Sequence, residues 1–283
     1  MTDTSLKPFG PIQDDYAFFQ QHSTEAEADL RAYAPHLHDL AMGDSPIRML
    51  DFGCGDGGFT AAFLGQSRFP QERLRLSLVE PDASYLQQAI DRLQAFTPHP
   101  VHAWPALPGH LHACFELILA NHVLYYVPDL TKTLATLIRA LATPGLFLTA
   151  MGGRASALYQ YCLRCFSVLG KPFPFWISED CEDVLERLGE AYAQAEVSYE
   201  LAFRDSEEHR LRLGRFLMGS AYHAVPRRAL LEGFDPYSHT GQIVMPVVHQ
   251  HFIVRRQVQG RTWLEDQAYP VAQPDGPHEG LAG

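Results

Sequence analysis

The residues best placed to do chemistry together begin with one turn. Asp51-Phe52-Gly53-Cys54-Gly55-Asp56-Gly57-Gly58 follows a short apolar run and leads into residues of helical period. Glycines so spaced let the backbone turn tightly and approach a ligand with no Cβ in the way. Glu80 ends the next apolar run, where a carboxylate can accept from two ribose hydroxyls. Gly53, Gly55 and Gly58 also satisfy the G-x-G-x-x-G spacing of dinucleotide sites, so charge must separate the two ligands. A dinucleotide sets an anionic pyrophosphate at the helix start. Here Asp51 and Asp56 stand at that spot, with no Lys or Arg in the loop. Two carboxylates beside a pyrophosphate are costly unless paired. S-adenosylmethionine has no phosphate and brings an ammonium and a sulfonium, both suited to those acids. It is the expected cofactor.

A second group follows the apolar run 115–121. His122 stands just past its end, and an imidazole titrates near neutrality, which suits orienting a nucleophile or taking its proton. Methyl transfer is an in-line displacement at an activated carbon, so alignment matters most; orientation can supply roughly 7–11 kcal/mol. Tyr16, Phe19, Tyr125, Tyr126, Phe173, Phe175 and Trp176 fall in segments where their faces could hold a cation and exclude water. Against this stand ordinary alternatives: a hydrogen-bonded histidine at a strand end, and aromatics that are plain core.

These groups need elements to position them. A helical pattern covers 14–42 and is broken at Gly43-Asp44-Ser45-Pro46. The centre alternates: strand 47–52, helix 57–65, strand 74–80, helix 83–96, weak strand 100–103, strand 115–121, helix 130–141, strand 145–151. Repeated βα units predict an α/β fold, a Rossmann-like doubly wound and mostly parallel sheet. Segments 193–203 and 247–256 predict an antiparallel edge. Before them come an aromatic helix at 155–168, the loop Lys171-Pro172-Phe173-Pro174-Phe175-Trp176 and a helix at 178–188 capped by Ser178 with Cys181 at the capping-box position, and between them lie a helix at 206–219 and a turn-rich stretch around 226–238. The expected organisation is a flexible stretch 1–13, one domain 14–263 with a helical and aromatic lid within 152–242, and a disordered tail 264–283.

Composition narrows the partners. A formal net charge of -11 disfavours nucleic acid and anionic membranes, leaving a small molecule as the expected partner. No run is apolar for long enough to cross a bilayer, and no secretory signal opens the chain, so a cytoplasmic location is expected. Five cysteines argue against a disulfide framework; Cys162 and Cys165 read as neighbours on one helix. The His36/His38, His110/His112 and His249/His251 pairs read as solvent-facing or satisfied in the core, and no metal is expected. Oligomeric state is not legible.

From Ile47 to Met151 the chain resembles the class I S-adenosylmethionine-dependent methyltransferases: Asp51-x-Gly53-x-Gly55-x-Gly57 matches their glycine motif and Glu80 their ribose-binding acid. The resemblance implies that Asp51 orients the methionine end, that Gly53, Cys54, Gly55 and Pro81 line the cofactor, that His102, Ala103 and Trp104 flank the adenine, and that the segment from Asn121 through His122 to Tyr125 sits beside the reacting methyl. More narrowly, Phe19-Gln20-Gln21-His22-Ser23-Thr24-Glu25, Val79-Glu80-Pro81, Ala103-Trp104, Leu124-Tyr125-Tyr126-Val127-x-Asp129 and Phe252-Ile253-Val254 resemble histamine N-methyltransferase in order and spacing. That family holds a small cationic amine with a glutamate of its N-terminal helix, which falls at Glu25. Its glutamine beside the methyl is His122 here, and its substrate-contacting asparagine falls at about Val248 or His249. These departures point away from histamine itself. The implied activity is N-methylation of a small amine or imidazole-like acceptor; O-methylation of a phenol or carboxylate, and a non-catalytic cofactor-binding scaffold, are the alternatives.

Overall fold

A computed structural model describes residues 12–257. Three helices come first: α1 (Gln13–His22), α2 (Glu25–Tyr33) and α3 (His38–Met42). Five parallel strands follow, β1 (Ile47–Phe52), β2 (Leu74–Val79), β3 (His102–Trp104), β4 (Phe115–Asn121) and β5 (Leu141–Met151). Helices α4 (Gly58–Ser67), α5 (Ala83–Leu93) and α6 (Leu130–Ala140) connect them. After β5 come α7 (Ala157–Val168), α8 (Ser178–Arg187), β6 (Tyr192–Arg204), α9 (Glu207–Met218), α10 (Arg227–Glu232), β7 (Ser238–His239) and β8 (Gln242–Arg256). The sheet order is β3-β2-β1-β4-β5-β8-β6, with β7 pairing β8.

The strands read as nearly continuous apolar runs because both faces of the sheet are covered. Leu117, Ile118, Leu119 and Ala120 are all fully buried. On one face α2, α4 and α5 bring Leu30, Tyr33, Phe63 and Leu93 against Met49, Leu76 and Leu119. On the other, α6 and α8 bring Leu134, Leu137, Val184 and Leu185 against Leu50, Ile118 and Phe147. Leu130, Leu134, Leu137 and Ile138 recur at helical spacing, and Asp129 caps the start of α6 by accepting from Lys132 N at 2.8 Å. Asp82 does the same for α5 through Ser84 N and Tyr85 N. A third apolar group gathers α1, α7, α9 and α10 over the C-terminal half of β6 and the start of β8.

The mixed fold with a mostly parallel sheet agrees with the reading of the sequence, and three local differences follow. The pattern over 14–42 is not one helix. It breaks at Ser23 and Thr24, where Thr24 N donates to Glu200 O (2.9 Å) and Thr24 Oγ1 accepts from Glu200 N (2.9 Å). A tertiary contact to β6 thus ends α1 and sets Glu25 in the first turn of α2. The cap of α8 is one residue earlier than expected: Asp180, not Cys181, accepts from the backbone N of Ile177 (2.9 Å). Finally, β8 begins at Gln242, ahead of its apolar run, while its antiparallel pairing with β6 makes the edge that the sequence predicts. The flexible stretch read at 1–13 lies outside the described residues except for 12 and 13, and Gln13 already opens α1. The tail 264–283 also lies outside them.

Candidate functional site

The glycine turn sits at the carboxyl end of β1, where open parallel sheets hold ligands. Gly53, Gly55 and Gly57 have φ of 77°, 54° and 77°, the left-handed region that favours glycine. Their surroundings differ. A Cβ on Gly53 would stand 2.2 Å from Val123 Cγ2, so this glycine lets the turn close on the residue after His122. A Cβ on Gly57 would stand 3.0 Å from the backbone of Ala89. A Cβ on Gly55 would meet nothing within 4 Å, which leaves its backbone open to a ligand.

Glu80 lies just past β2 with its carboxylate anchored: Gly55 N donates to Oε2 (3.1 Å) and Asp82 N to Oε1 (3.0 Å). Burial raises its pKa, against those two bonds. Asp51 is buried on β1 and accepts from Thr60 Oγ1; burial, with a smaller push from Glu80, raises its pKa to about 7. Asp56 is not free as the loop sequence implied. Arg92 reaches back from α5 to pair with it at 2.8 Å, and its Oδ1 accepts from Gly58 N. One acid beside the turn, Asp51, therefore keeps the electrostatic role that the sequence gave to two. Pro81 follows Glu80 directly, and Cys54 is buried beneath the turn. Ala103 and Trp104 are half-buried on β3, with Trp104 O accepting from Glu80 N (3.1 Å), while His102 is exposed there. Asn121 closes β4 with its amide committed elsewhere: Oδ1 accepts from Tyr33 OH (2.7 Å) and Nδ2 donates to Asp29 (2.9 Å).

Beyond the strand ends lies a cavity of about 150 Å³, the size that admits a single small ring. Tyr16, Phe19, Glu25, His122, Tyr125, Tyr126, Phe175 and Trp176 all line it. So does Phe173, together with residues that the sequence did not mark, among them Tyr159, Tyr199 and Phe216; His249 completes the floor. The walls interlock, with Phe175 edge-on to Tyr126 and Phe173 edge-on to Phe175. Among the described residues that line the cavity there is no Lys or Arg.

Under the floor is a buried polar cluster centred on Asp29 of α2, which has no exposed surface. Oδ1 lies 2.8 Å from Nε2 of both His249 and His251; Oδ2 accepts from Asn121 Nδ2 and lies 3.1 Å from His122 Nε2. Four nitrogens thus surround one carboxylate, and the two Nε2 atoms on Oδ1 lie 3.1 Å from each other. Burial pushes the Asp29 pKa up, but the charge and hydrogen bond of His122 and the bonds from His249 and His251 outweigh it, holding the carboxyl well below its usual range. For His122 burial favours the neutral ring, but Glu25 (Oε1 at 3.5 Å) and Asp29 together outweigh it and raise the pKa to about 9. His122 is thus an imidazolium at neutral pH, with Nδ1 bonded to Tyr125 OH (3.1 Å). Its φ is 52°, left-handed for a non-glycine, a strain of the kind concentrated at functional sites. His251 is pushed toward the neutral form by burial.

The sequence carried partial signals for this cluster. Glu25 and Asp29 stand one helical turn apart and so share a face, and His249 and His251 alternate along a strand and share another. The histidine pair lies in the core, and the group its Nε2 atoms reach is a carboxylate 222 positions away from His251.

Among the described residues no helix is long and apolar enough to cross a membrane. A family model described as a methyltransferase domain matches residues 24–176. Trans-aconitate 2-methyltransferase of Rhodopseudomonas palustris (strain BisA53) is 29% identical over 153 residues, 53% of this chain and 54% of that protein. Trans-aconitate 2-methyltransferase of Azoarcus sp. (strain BH72) is 33% identical over 146 residues, 50% of this chain and 51% of that protein. The chain spans about half the length of these curated relatives. The solved structure of the YcgJ protein from Bacillus subtilis covers 81% of this chain and 100% of its own at a TM-score of 0.53 and 14% identity, a likeness of fold. With the matched region reaching from the start of α2 through the glycine turn to Trp176, the chain belongs to the methyltransferase domain family.

Proposed function

We propose that the chain methylates the nitrogen of a small amine or imidazole-like molecule held in the aromatic cavity. The observation that carries this reading is the charge at the cavity floor. Asp29 and Glu25 supply two negative charges and the His122 imidazolium one positive, leaving one negative charge in excess where water is largely excluded. One ammonium balances it. A carboxylate would add to it, with no Lys or Arg among the described lining residues to compensate. Tyr16, Phe19, Tyr125, Tyr126, Phe175 and Trp176 then surround a cation with aromatic faces and edges. The motifs that resemble histamine N-methyltransferase support the same role for Glu25.

For the cofactor, the open backbone at Gly55 and the anchored carboxylate of Glu80 fit a ribose-bearing ligand, and buried Asp51 fits its ammonium. Gly53, Cys54, Pro81, Ala103 and Trp104 are assigned to the same ligand. Exposed His102 contributes less, and Asn121 acts by holding Asp29. When bound, S-adenosylmethionine supplies a methyl group on a sulfonium leaving group. The chain's own work is alignment: Glu25 holds the ammonium, the His122 imidazolium fixes the Glu25 carboxylate from its other side, and Phe175 and Trp176, from the segment after β5, cover the cavity.

A second reading, O-methylation of a carboxylate, is supported by the His122 imidazolium as partner for an anion and by relatives named for trans-aconitate. Methyl-labelled S-adenosylmethionine separates the two. Benzylamine, phenethylamine and histamine form one arm, trans-aconitate and 4-hydroxybenzoate the other. Label is expected on the amines; label on trans-aconitate alone would replace the first reading by the second.

A further inference from the structure

An ammonium must lose a proton before its nitrogen can attack, and His122 is badly placed to take it. Both its ring nitrogens are engaged, and at neutral pH both carry protons. The neighbouring ring differs. His249 is 2% exposed and lines the cavity, and its Nδ1 is one of two buried side-chain polar atoms without a hydrogen-bond partner among the described residues. Its Nε2 lies 2.8 Å from Asp29 Oδ1. His251 Nε2 also lies 3.1 Å from His249 Nε2, but a bare nitrogen 2.8 Å from a carboxylate oxygen would set lone pair against lone pair, so a proton on Nε2 is favoured and leaves Nδ1 bare. A carboxylate fixing one ring nitrogen and leaving the other as an unpartnered acceptor is the arrangement of an oriented general base.

Resting on the amine reading above, we propose that His249 Nδ1 accepts the proton of the substrate ammonium, with Asp29 as its positioning residue. A ring nitrogen of His249, a ring nitrogen of His122 and a carboxylate oxygen of Glu25 lie within 4.8 Å of one another, so an ammonium held by Glu25 is within reach of His249. In the step, one substrate N–H bond breaks and its proton passes to Nδ1. The freed nitrogen lone pair forms the bond to the methyl carbon as the carbon–sulfur bond breaks and its electron pair goes to sulfur. The product leaves as a methylammonium, and Nδ1 later returns its proton to solvent. The imidazolium formed at His249 is stabilised through Nε2–H by Asp29. The titratable groups facing the ring are Asp29 and Glu25 from α2, His122 after β4, Tyr199 from β6, and His251 from its own strand.

Two measurements test this. In protein labelled with ¹⁵N-histidine and titrated with benzylamine, His249 should show a bare Nδ1 and a protonated Nε2, with Nδ1 shifting as benzylamine binds and the tautomer preference lost in Asp29→Asn. A proton on Nδ1, or a zinc ion that binds stoichiometrically to both histidine rings of the pair, would overturn the proposal whether or not benzylamine is a substrate. In turnover of benzylamine, His249→Gln should lower kcat by roughly 100-fold or more with S-adenosylmethionine affinity unchanged. The deficit should narrow as pH rises and more amine arrives deprotonated. An unchanged rate, or a deficit constant with pH, assigns the proton elsewhere. Failure of wild type to methylate any amine would sink the amine reading instead, with the tautomer result still standing on its own.

Discussion

The two halves of the site are assembled in opposite ways. The cofactor half is drawn from one stretch, Asp51 to Trp104, whose order in space follows its order in sequence: turn, strand, acid, edge strand. The acceptor half draws Tyr16 and Phe19 from α1, Glu25 and Asp29 from α2, His122 from beyond β4, Phe175 and Trp176 from the segment after β5, Tyr199 from β6 and His249 from β8. A backbone-built pocket can be carried by a contiguous motif. A side-chain-built pocket needs the whole fold, and its contents depend on pairings between distant strands and helices.

That contrast predicts where single changes bite hardest. Gly53→Ala should be the most damaging, because a Cβ at φ 77° would strike Val123 at 2.2 Å. A loss of about 4 kcal/mol in denaturant unfolding is expected, from overpacking plus left-handed strain. Gly55→Ala sharpens the distinction. With nothing within 4 Å of its Cβ it should cost about 1 kcal/mol of stability, yet impair cofactor binding. Equal stability losses in the two variants would erase the division between a glycine needed by the fold and one needed by the ligand. Glu80→Ala follows, at about 3 kcal/mol of cofactor affinity by calorimetry, since a carboxylate fixed by two backbone N–H groups is lost. Unchanged affinity would remove Glu80 from the site.

Glu25→Gln probes the other half and should act on the acceptor alone. Losing an ion pair with an ammonium should lower kcat/KM for an amine by about 2 kcal/mol, with cofactor affinity within error of wild type. A drop in cofactor affinity of the same size would mean that the two halves are not separable.

Much of the fold, and the turn and acid proposed to hold the cofactor, could be read from the sequence because their signals are local. The apolar runs of β1, β2 and β4, the turn itself and the acid of Glu80 each announce themselves within a few residues. The failures that bear on the site are long-range. Arg92 neutralises Asp56 from α5, 36 positions on. The bridge to β6 ends α1 at Ser23, and Asp29, indistinguishable from any helix carboxylate, becomes the centre of four hydrogen bonds only when β4 and β8 close over it. The aromatic residues of the cavity were recognisable by type, and all eight acceptor-site candidates line it, but Tyr199 and Phe216 gave no cue of their own.

The smallest effect tests whether a single acid, Asp51, carries the charge of the cofactor half. In the empty protein burial holds its pKa near 7, so the carboxyl is largely protonated below that pH and ionised above it. A cofactor ammonium favours the ionised form, so binding must take the proton off at low pH and gains the full attraction at high pH. Affinity should therefore rise through pH 7, by about tenfold between pH 6 and pH 8, and level off above. Asp51→Asn should bind more weakly at pH 8 and show a flat profile. A wild-type profile flat across this range would mean that Asp51 keeps one protonation state throughout and that Glu80 alone provides the negative charge.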